Sequence, residues 1–401
     1  MLIDKKFKII VRPTLLLSIN IIMFTLSPIH SLADTLINAK TAGLSTSVSN
    51  NNQRLQKIID SHSKDKTTIY IPKGTYLFGN GGILLRSNLT FNFAAGATFK
   101  INNGQVLYFV YPSPRAGYTG GIRNVTWNNA TFVGNDINGQ SSITQSLNHA
   151  QQVHFNNNTF YNCEKPNGHF LDIDGSRNIF INQSKFYGFN TDEHNDYKEG
   201  IQIDYSDRTA MSYAVSSDQY DELPSYNIYV NNNYFLPVMS GQQIKYYAPN
   251  PIGEHAVYND GKSGVIHNIN FTNNVVIDPK PRPNINRATI NFNGVNNITI
   301  QKNRFVNIHT TGSANYIRIY NPLNHYQMAG INISNNEFTN ISPTAQYILI
   351  ANKYSSSHIN KIIVDRNQVM NFAPSVPLLN HGNLTATYKN NRVFNAYFNM
   401  P

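Results

Sequence analysis

Apolar and polar residues alternate with period two through much of this 401-residue chain, and the alternation falls into phrases of fixed spacing. Stretches such as NIFINQSKF from Asn178, NITIQKNRF from Asn297 and INISNNEF from Ile331 are rich in Ile, Val and Thr and read as strands. Eight phrases begin at Asn124, Gln152, Asn178, Asn227, Asn268, Asn297, Gly330 and Lys361. Each has Ile or Val next and a large apolar residue eight positions on: Phe132, Phe160, Phe186, Phe235, Val276, Phe305, Phe338 and Val369. Six carry Asn at the sixth position: Asn158, Asn233, Asn274, Asn303, Asn336 and Asn367. A repeat of tens of residues with no helix marks a solenoid, in which each unit buries its apolar face only against its neighbours. The repeated Asn is expected to sit in the left-handed backbone region at a bend and to hydrogen-bond to its copies in adjacent coils. Few Leu and no helix within the repeat argue against a leucine-rich solenoid, and most units are shorter than a propeller blade of ~40–45 residues.

Helical periodicity shows at one place, where Leu55, Ile58 and Ile59 share a face ahead of the strands. A short helix there would cover the open end of the apolar column. The run NNQRLQKIID, then IPKGTY, then a strand ending AAGATFK resembles the entry cap of the pectate lyase-like, right-handed parallel β-helix superfamily. Polygalacturonases, rhamnogalacturonases, pectate lyases, uronan epimerases and tailspike depolymerases belong to it. The resemblance covers nearly all of residues 34–401 and implies an all-β, single-stranded right-handed parallel β-helix with an N-terminal capping helix. Residues 34–100 are expected to form the cap and first coils, and 101–401 the remaining stack.

Residues 1–33 read as a signal peptide: Lys5, Lys6, Lys8 and Arg12, an apolar run from Thr14 to Leu26, and Ser31-Leu32-Ala33 before Asp34. That run is shorter than the ~20 residues a membrane-spanning helix needs, so a secreted protein without stable membrane insertion is expected. A single cysteine, Cys163, excludes an internal disulfide and reads as a small buried hydrophobe. The net charge is +10, which suits an anionic polysaccharide. No basic run, zinc-ligand spacing or aromatic RNA-binding motif points to nucleic acid.

Function is written in the interruptions. Successive anchors lie 28, 26, 49, 41, 29, 33 and 31 residues apart, so insertion loops fall between 178 and 268, where a binding face is expected. Nine of the 22 carboxylates, Asp192, Glu193, Asp196, Glu199, Asp204, Asp207, Asp218, Asp221 and Glu222, cluster there. In GHFLDIDGS and EGIQIDYSD the residues Leu171, Ile173, Ile201 and Ile203 point inward. Offset by 30 residues (204 minus 174), the segments align His169 with Glu199, Asp172 with Gln202 and Asp174 with Asp204. On coils about 4.8 Å apart these form one outward polar patch. Later segments add Glu254 and His255, Lys245 with Tyr246 and Tyr247, and Arg318 beside Tyr320, with His149 as a further candidate.

Glycoside hydrolysis needs two carboxyl groups ~5–10 Å apart, and Asp174 and Asp204, with Glu199 nearby, meet that requirement. The order of carboxylates, Gly-x-His and Arg also resembles polygalacturonases. It implies Asp174 and Asp204 as acid and base, His255 as an orienting group and Arg318 as a substrate binder. From their places in the outward patch, Asp172, Gln202, His169, Lys245 and Tyr320 are expected to line the sugar site. The competing chemistry is β-elimination on a uronate polymer. There Lys245, His255, Arg318 or Tyr320 serves as base or neutraliser, and Asp172 and Asp204, with Asp174 and Glu199, hold an optional calcium ion. No other cofactor is expected. A non-enzymatic glycan-binding adhesin is the third reading, since fold alone does not fix function.

Overall fold

The computed structural model describes residues 34–62, 66–134, 142–163, 168–188, 199–254, 256–309, 312–339, 341, 343–370 and 376–394. The expected signal peptide (residues 1–33), His255 and the acids Asp192, Glu193 and Asp196 lie outside the described residues. Three long parallel sheets of twelve, eleven and ten strands run along the stack, and each coil contributes one strand to each in turn. We call them the anchor, aromatic and acid sheets. This is a parallel β-helix.

Every repeat anchor occupies the left-handed region, from φ +52° at Asn297 upward, including Gln152 at 55° and Lys361 at 55°. The residue after each anchor turns inward: Val125, Val153, Ile179, Ile228, Ile269, Ile298, Ile331 and Ile362 are all buried in register. The eighth-position residues form the column of the aromatic sheet from Phe132 through Phe186 and Phe305 to Val369. Phe160 and Phe186 stack with centroids 4.9 Å apart and planes 2° from parallel, and Phe186 meets Phe235 at 4.9 Å. Ring faces therefore pack at the coil spacing.

The sixth-position Asn residues differ in one respect from the sequence reading. They do form a buried ladder: Asn233 Nδ2 donates to Asn274 at 3.0 Å, Asn274 to Asn303 at 3.1 Å, Asn303 to Asn336 at 3.0 Å and Asn336 to Asn367 at 2.9 Å. The left-handed residue, however, is the one before: Asn157, Asn232, Asn273, Lys302, Asn335 and Arg366. The bend needs one residue at positive φ, and the next side chain turns inward to take the ladder position. Each ladder oxygen also accepts a backbone N–H from the preceding coil, as from Asn274 to Asn303 at 2.9 Å. Buried backbone donors at the bend are thereby satisfied.

The helix α1 (Asn52–Asp60) buries Leu55, Ile58 and Ile59 over the first coil. Gln56 stands in for a missing strand at the acid-sheet edge, accepting from Leu84 N at 2.8 Å and donating to Leu84 O at 3.0 Å. An edge with its backbone groups occupied resists further strand addition. Cys163 is fully buried, with its thiol on Phe132 O.

Candidate functional site in the acid sheet

The 30-residue offset is the strand register. Leu171 pairs with Ile201, Asp172 with Gln202, Ile173 with Ile203 and Asp174 with Asp204. Two outward columns follow. One runs Ser146, Asp172, Gln202, Gly253, Asn291 and Arg318; the other includes Asn148, Asp174 and Asp204, with Asn293 beside Tyr320 farther along.

These columns point away from the core without reaching open solvent, because the insertion after Asp204 folds back across them. Ser212 N donates to Asp172 Oδ2, Tyr213 N to Ser146 Oγ at 3.2 Å, and Ser206 Oγ to Asn148 at 2.8 Å. The far end of this lid is clipped to residues 113–118 of an earlier coil. Ser113 N donates to Asp218 at 2.9 Å, Gly117 N to Asp221 at 2.7 Å, and Tyr118 OH to Pro224 O at 2.8 Å. Between them His149 lies 2.8 Å from Ser113 Oγ through Nδ1 and 2.8 Å from Asp221 Oδ1 through Nε2. The residue types match a nucleophilic triad, but Ser113 is fully buried and its hydroxyl donates to Arg115 O at 2.9 Å. With that proton committed, the Ser113–His149–Asp221 chain works as a latch.

Beneath the lid the carboxyl groups have unlike surroundings. Asp174 is fully buried, no described group donates to either of its oxygens, and burial followed by repulsion from Asp172, Asp204 and Asp207 holds its pKa well above the ordinary carboxyl range. Asp204 instead accepts from Gln202 Nε2 at 2.8 Å and Tyr205 N at 2.8 Å. Burial also raises Asp172, against the lowering influence of His169 and Ser212. Carboxyl groups held in contrasting environments are the pattern expected of an acid and base pair.

Other sequence candidates are committed elsewhere. Glu199 forms a buried ion pair with Arg282 at 3.0 Å, and a Cβ on Gly253 would lie 2.5 Å from its Cγ. Glu199, expected as a catalytic group, thus has its charge paired inside the protein. Arg282 carries no strand pattern in sequence and was missed. Arg318 is buried, donating to Asn291 at 3.1 Å and Asn293 at 2.8 Å, with its guanidinium 4.2 Å from the Tyr320 ring centroid. Burial lowers its pKa to about 10, so it remains a cation at neutral pH. These protein contacts hold it against the sheet. Glu254 accepts from Asn293 N at 2.7 Å and is raised well above its usual range, chiefly by burial. Lys245 is exposed on an antiparallel hairpin (Val238–Ser240 with Gln243–Tyr246), its ammonium over the Tyr246 ring.

A pocket of about 340 Å³ opens beside the acids, lined by Tyr108, Thr144, Gln202 and Asp204 from the acid sheet, Gly168 and His169 just ahead of the Asp172 strand, Thr209 to Ser212 from the lid, and Tyr258. His169 donates through Nδ1 to Glu199 O at 2.6 Å, which fixes its ring. Of the proposed site residues, His169, Gln202 and Asp204 line this pocket, whereas Asp172, Asp174, Arg318, Tyr320 and Lys245 do not. Among the described residues no group of three or more Asp, Glu, His or Cys is placed to hold a metal ion. No helix among them is long and apolar enough to cross a membrane.

No family profile matches the chain. Among curated proteins it is 24% identical over 396 residues to plasmin and fibronectin-binding protein A of Streptococcus pneumoniae (strain ATCC BAA-255 / R6), covering 86% of this chain and 52% of that protein. The chain thus spans about half the length of that relative. The solved structure of the Streptococcus pneumoniae surface protein and adhesin PfbA superposes with TM-score 0.55 and 17% identity, over 90% of this chain and 100% of that one. A double-mutant tailspike protein of E. coli bacteriophage HK620 superposes with TM-score 0.51 and 11% identity, over 88% of this chain and 64% of the tailspike.

Proposed function

We propose that this chain, a right-handed parallel β-helix, is an extracellular glycan-binding protein of the adhesin type whose carbohydrate site is the lidded pocket on the acid sheet. The observation that carries this reading is the pocket itself. Fixed donors and acceptors on His169, Gln202 and Asp204 converge under an aromatic and polar rim, the chemistry that holds sugar hydroxyls. Similarity to a surface adhesin supports it at the level of the whole chain. The partner is an extracellular or cell-surface polysaccharide, and the net charge of +7 on residues 34–401 (10 minus the 3 of residues 1–33) favours an acidic one.

A second reading, glycoside hydrolysis, rests on Asp174 and Asp204. A carboxyl whose pKa burial raises beside one that accepts two hydrogen bonds is equipped as acid and base. For that chemistry the lid must open, since Asp174 has no exposure.

One experiment separates the readings. Purified protein is incubated with acidic and neutral polysaccharides while bound polymer, new reducing ends and unsaturated-uronide absorbance are followed. Retention of polymer without new ends, lost in Gln202→Ala, supports binding. New ends that vanish in Asp204→Asn establish hydrolysis. Added absorbance that chelator abolishes would point to elimination assisted by calcium on Asp172 and Asp204. Failure to retain or cleave any polymer would sink the glycan reading altogether.

A further inference from the structure

The outward face of a stacked sheet is naturally a trough, open along the stack, so a polymer can cross many coils at about 4.8 Å each. Here the lid ends that trough. Ser212 N binds Asp172, Tyr213 N binds Ser146, and the Tyr213 ring then lies across two earlier coils. Its centroid is 4.8 Å from that of Tyr108, itself part of the pocket wall. A Cβ on Gly82 would lie 3.1 Å from Tyr213 Cε1 and Cζ, so the ring packs closely on the glycine and a side chain there would push it by a few tenths of an ångström. Thr209 to Ser212 form a wall of the pocket and Tyr258 contributes from the following insertion. The pocket volume, about 340 Å³, lies at the low end of the ~300–1,000 Å³ typical of small-ligand sites.

We propose that the pocket reads the end of a glycan chain, taking the terminal one or two sugars, and that Tyr213 is the specificity-determining stop. This rests on the glycan-binding reading and names the part of the polymer that the site accepts. The latch through Asp218, Asp221 and His149 holds the stop in place, because it anchors the same loop a few residues on.

The probes are oligosaccharides of galacturonate, glucose and N-acetylglucosamine, one to six units long, free or chemically capped at one terminus. Affinity of the parent protein for the series that binds should level off by two units, with tetramer and dimer within twofold. Capping one of the two termini should abolish binding. Tyr213→Ala should bind tetramer at least fivefold more tightly than dimer, and Gly82→Ala, which displaces the ring without removing it, should shift the same ratio in the same direction. Affinity in the parent that keeps rising to four units or more, indifference to both caps, or Tyr213→Ala keeping the parental length profile would each overturn the proposal while leaving glycan binding intact. If none of the oligosaccharides binds, both readings fall together.

Discussion

At the scale of single residues, the stack depends on polar side chains buried where hydrophobes would be expected. Asn303 has its amide shared between Asn336 and Phe271 O, and its oxygen accepts both the backbone and the side chain of Asn274. Truncation strands a buried backbone N–H, at about 1–3 kcal/mol for the unsatisfied group. Asn303→Ala should therefore lower the unfolding free energy from urea titration by that much, whereas Asn297→Gly, in the exposed anchor ladder at φ 52°, should change it by less than ~0.5 kcal/mol. Asn recurs at five of the eight anchors and six of the eight sixth positions, and Asn303 is buried because its neighbour Lys302 takes the positive φ of the bend. Alternation and spacing could not tell which of residues 302 and 303 would do so. Asp174 carries the opposite liability. Its folded pKa is raised, so above an ordinary aspartate value of about 3.9 the unfolded chain releases a proton that the folded chain keeps. Stability consequently falls as pH rises from about 4 to the folded value. Asp174→Asn should flatten that slope and raise the melting temperature at pH 7 relative to the parent; a slope left unchanged would show that Asp174 ionises normally. Part of the slope should persist, because Asp172 and Glu254 are shifted in the same direction.

At the scale of elements, the acid strands and the lid were legible to different degrees. The pairing of Asp172 with Gln202 and Asp174 with Asp204 follows from matching two short segments, because parallel coils align like residues. Their covering follows from contacts that no local pattern announces: Ser113 meets Asp218 across 105 positions and Tyr118 meets Pro224 across 106. The long gap between Asn178 and Asn227 gave the loop's place in the stack, and its acids were read as facing a ligand or solvent. Asp218 and Asp221 instead accept hydrogen bonds from the 113–117 segment, and Asp172 accepts one from the lid. A loop held by hydrogen bonds at its ends and by few buried apolar side chains is among the first parts of a fold to open. Replacing His149 with Ala removes the link between Ser113 and Asp221 while leaving the strand pairing of its coil in place. His149→Ala should make the chain between Ser206 and Pro224 at least tenfold more susceptible to limited proteolysis, with little change in the global melting temperature. Unchanged cleavage would mean that the remaining clips are sufficient and that the histidine is dispensable to closure.

At the scale of the whole molecule, a solenoid distributes stability along one dimension, since each coil touches only its neighbours. The aromatic column makes that dependence concrete: Phe132, Phe160, Phe186 and Phe235 stack ring on ring through the same coils that carry the acid pair. Phe186 lies between two rings at 4.9 Å each and is fully buried, so its loss opens a cavity that rigid sheets on three sides cannot collapse into. Phe186→Ala should cost about 3–5 kcal/mol, the range for deleting a buried aromatic ring. Val393, in the last strand of the same sheet, is 45% exposed and pairs on one described side, with Val369. Val393→Ala should cost less than ~1 kcal/mol, because most of the side chain is already in water. Position along the stack also matters for function. A break at Phe186 divides the coils bearing Asp174 and Tyr213's seat on Gly82 from those bearing Arg318, whereas fraying at Val393 leaves the site untouched. Glycan retention should therefore collapse with Phe186→Ala at denaturant concentrations where Val393→Ala still binds as the parent does. Equal sensitivity of the two variants in parallel urea titrations would show that the stack melts as one cooperative block and that local coil stability does not govern the site.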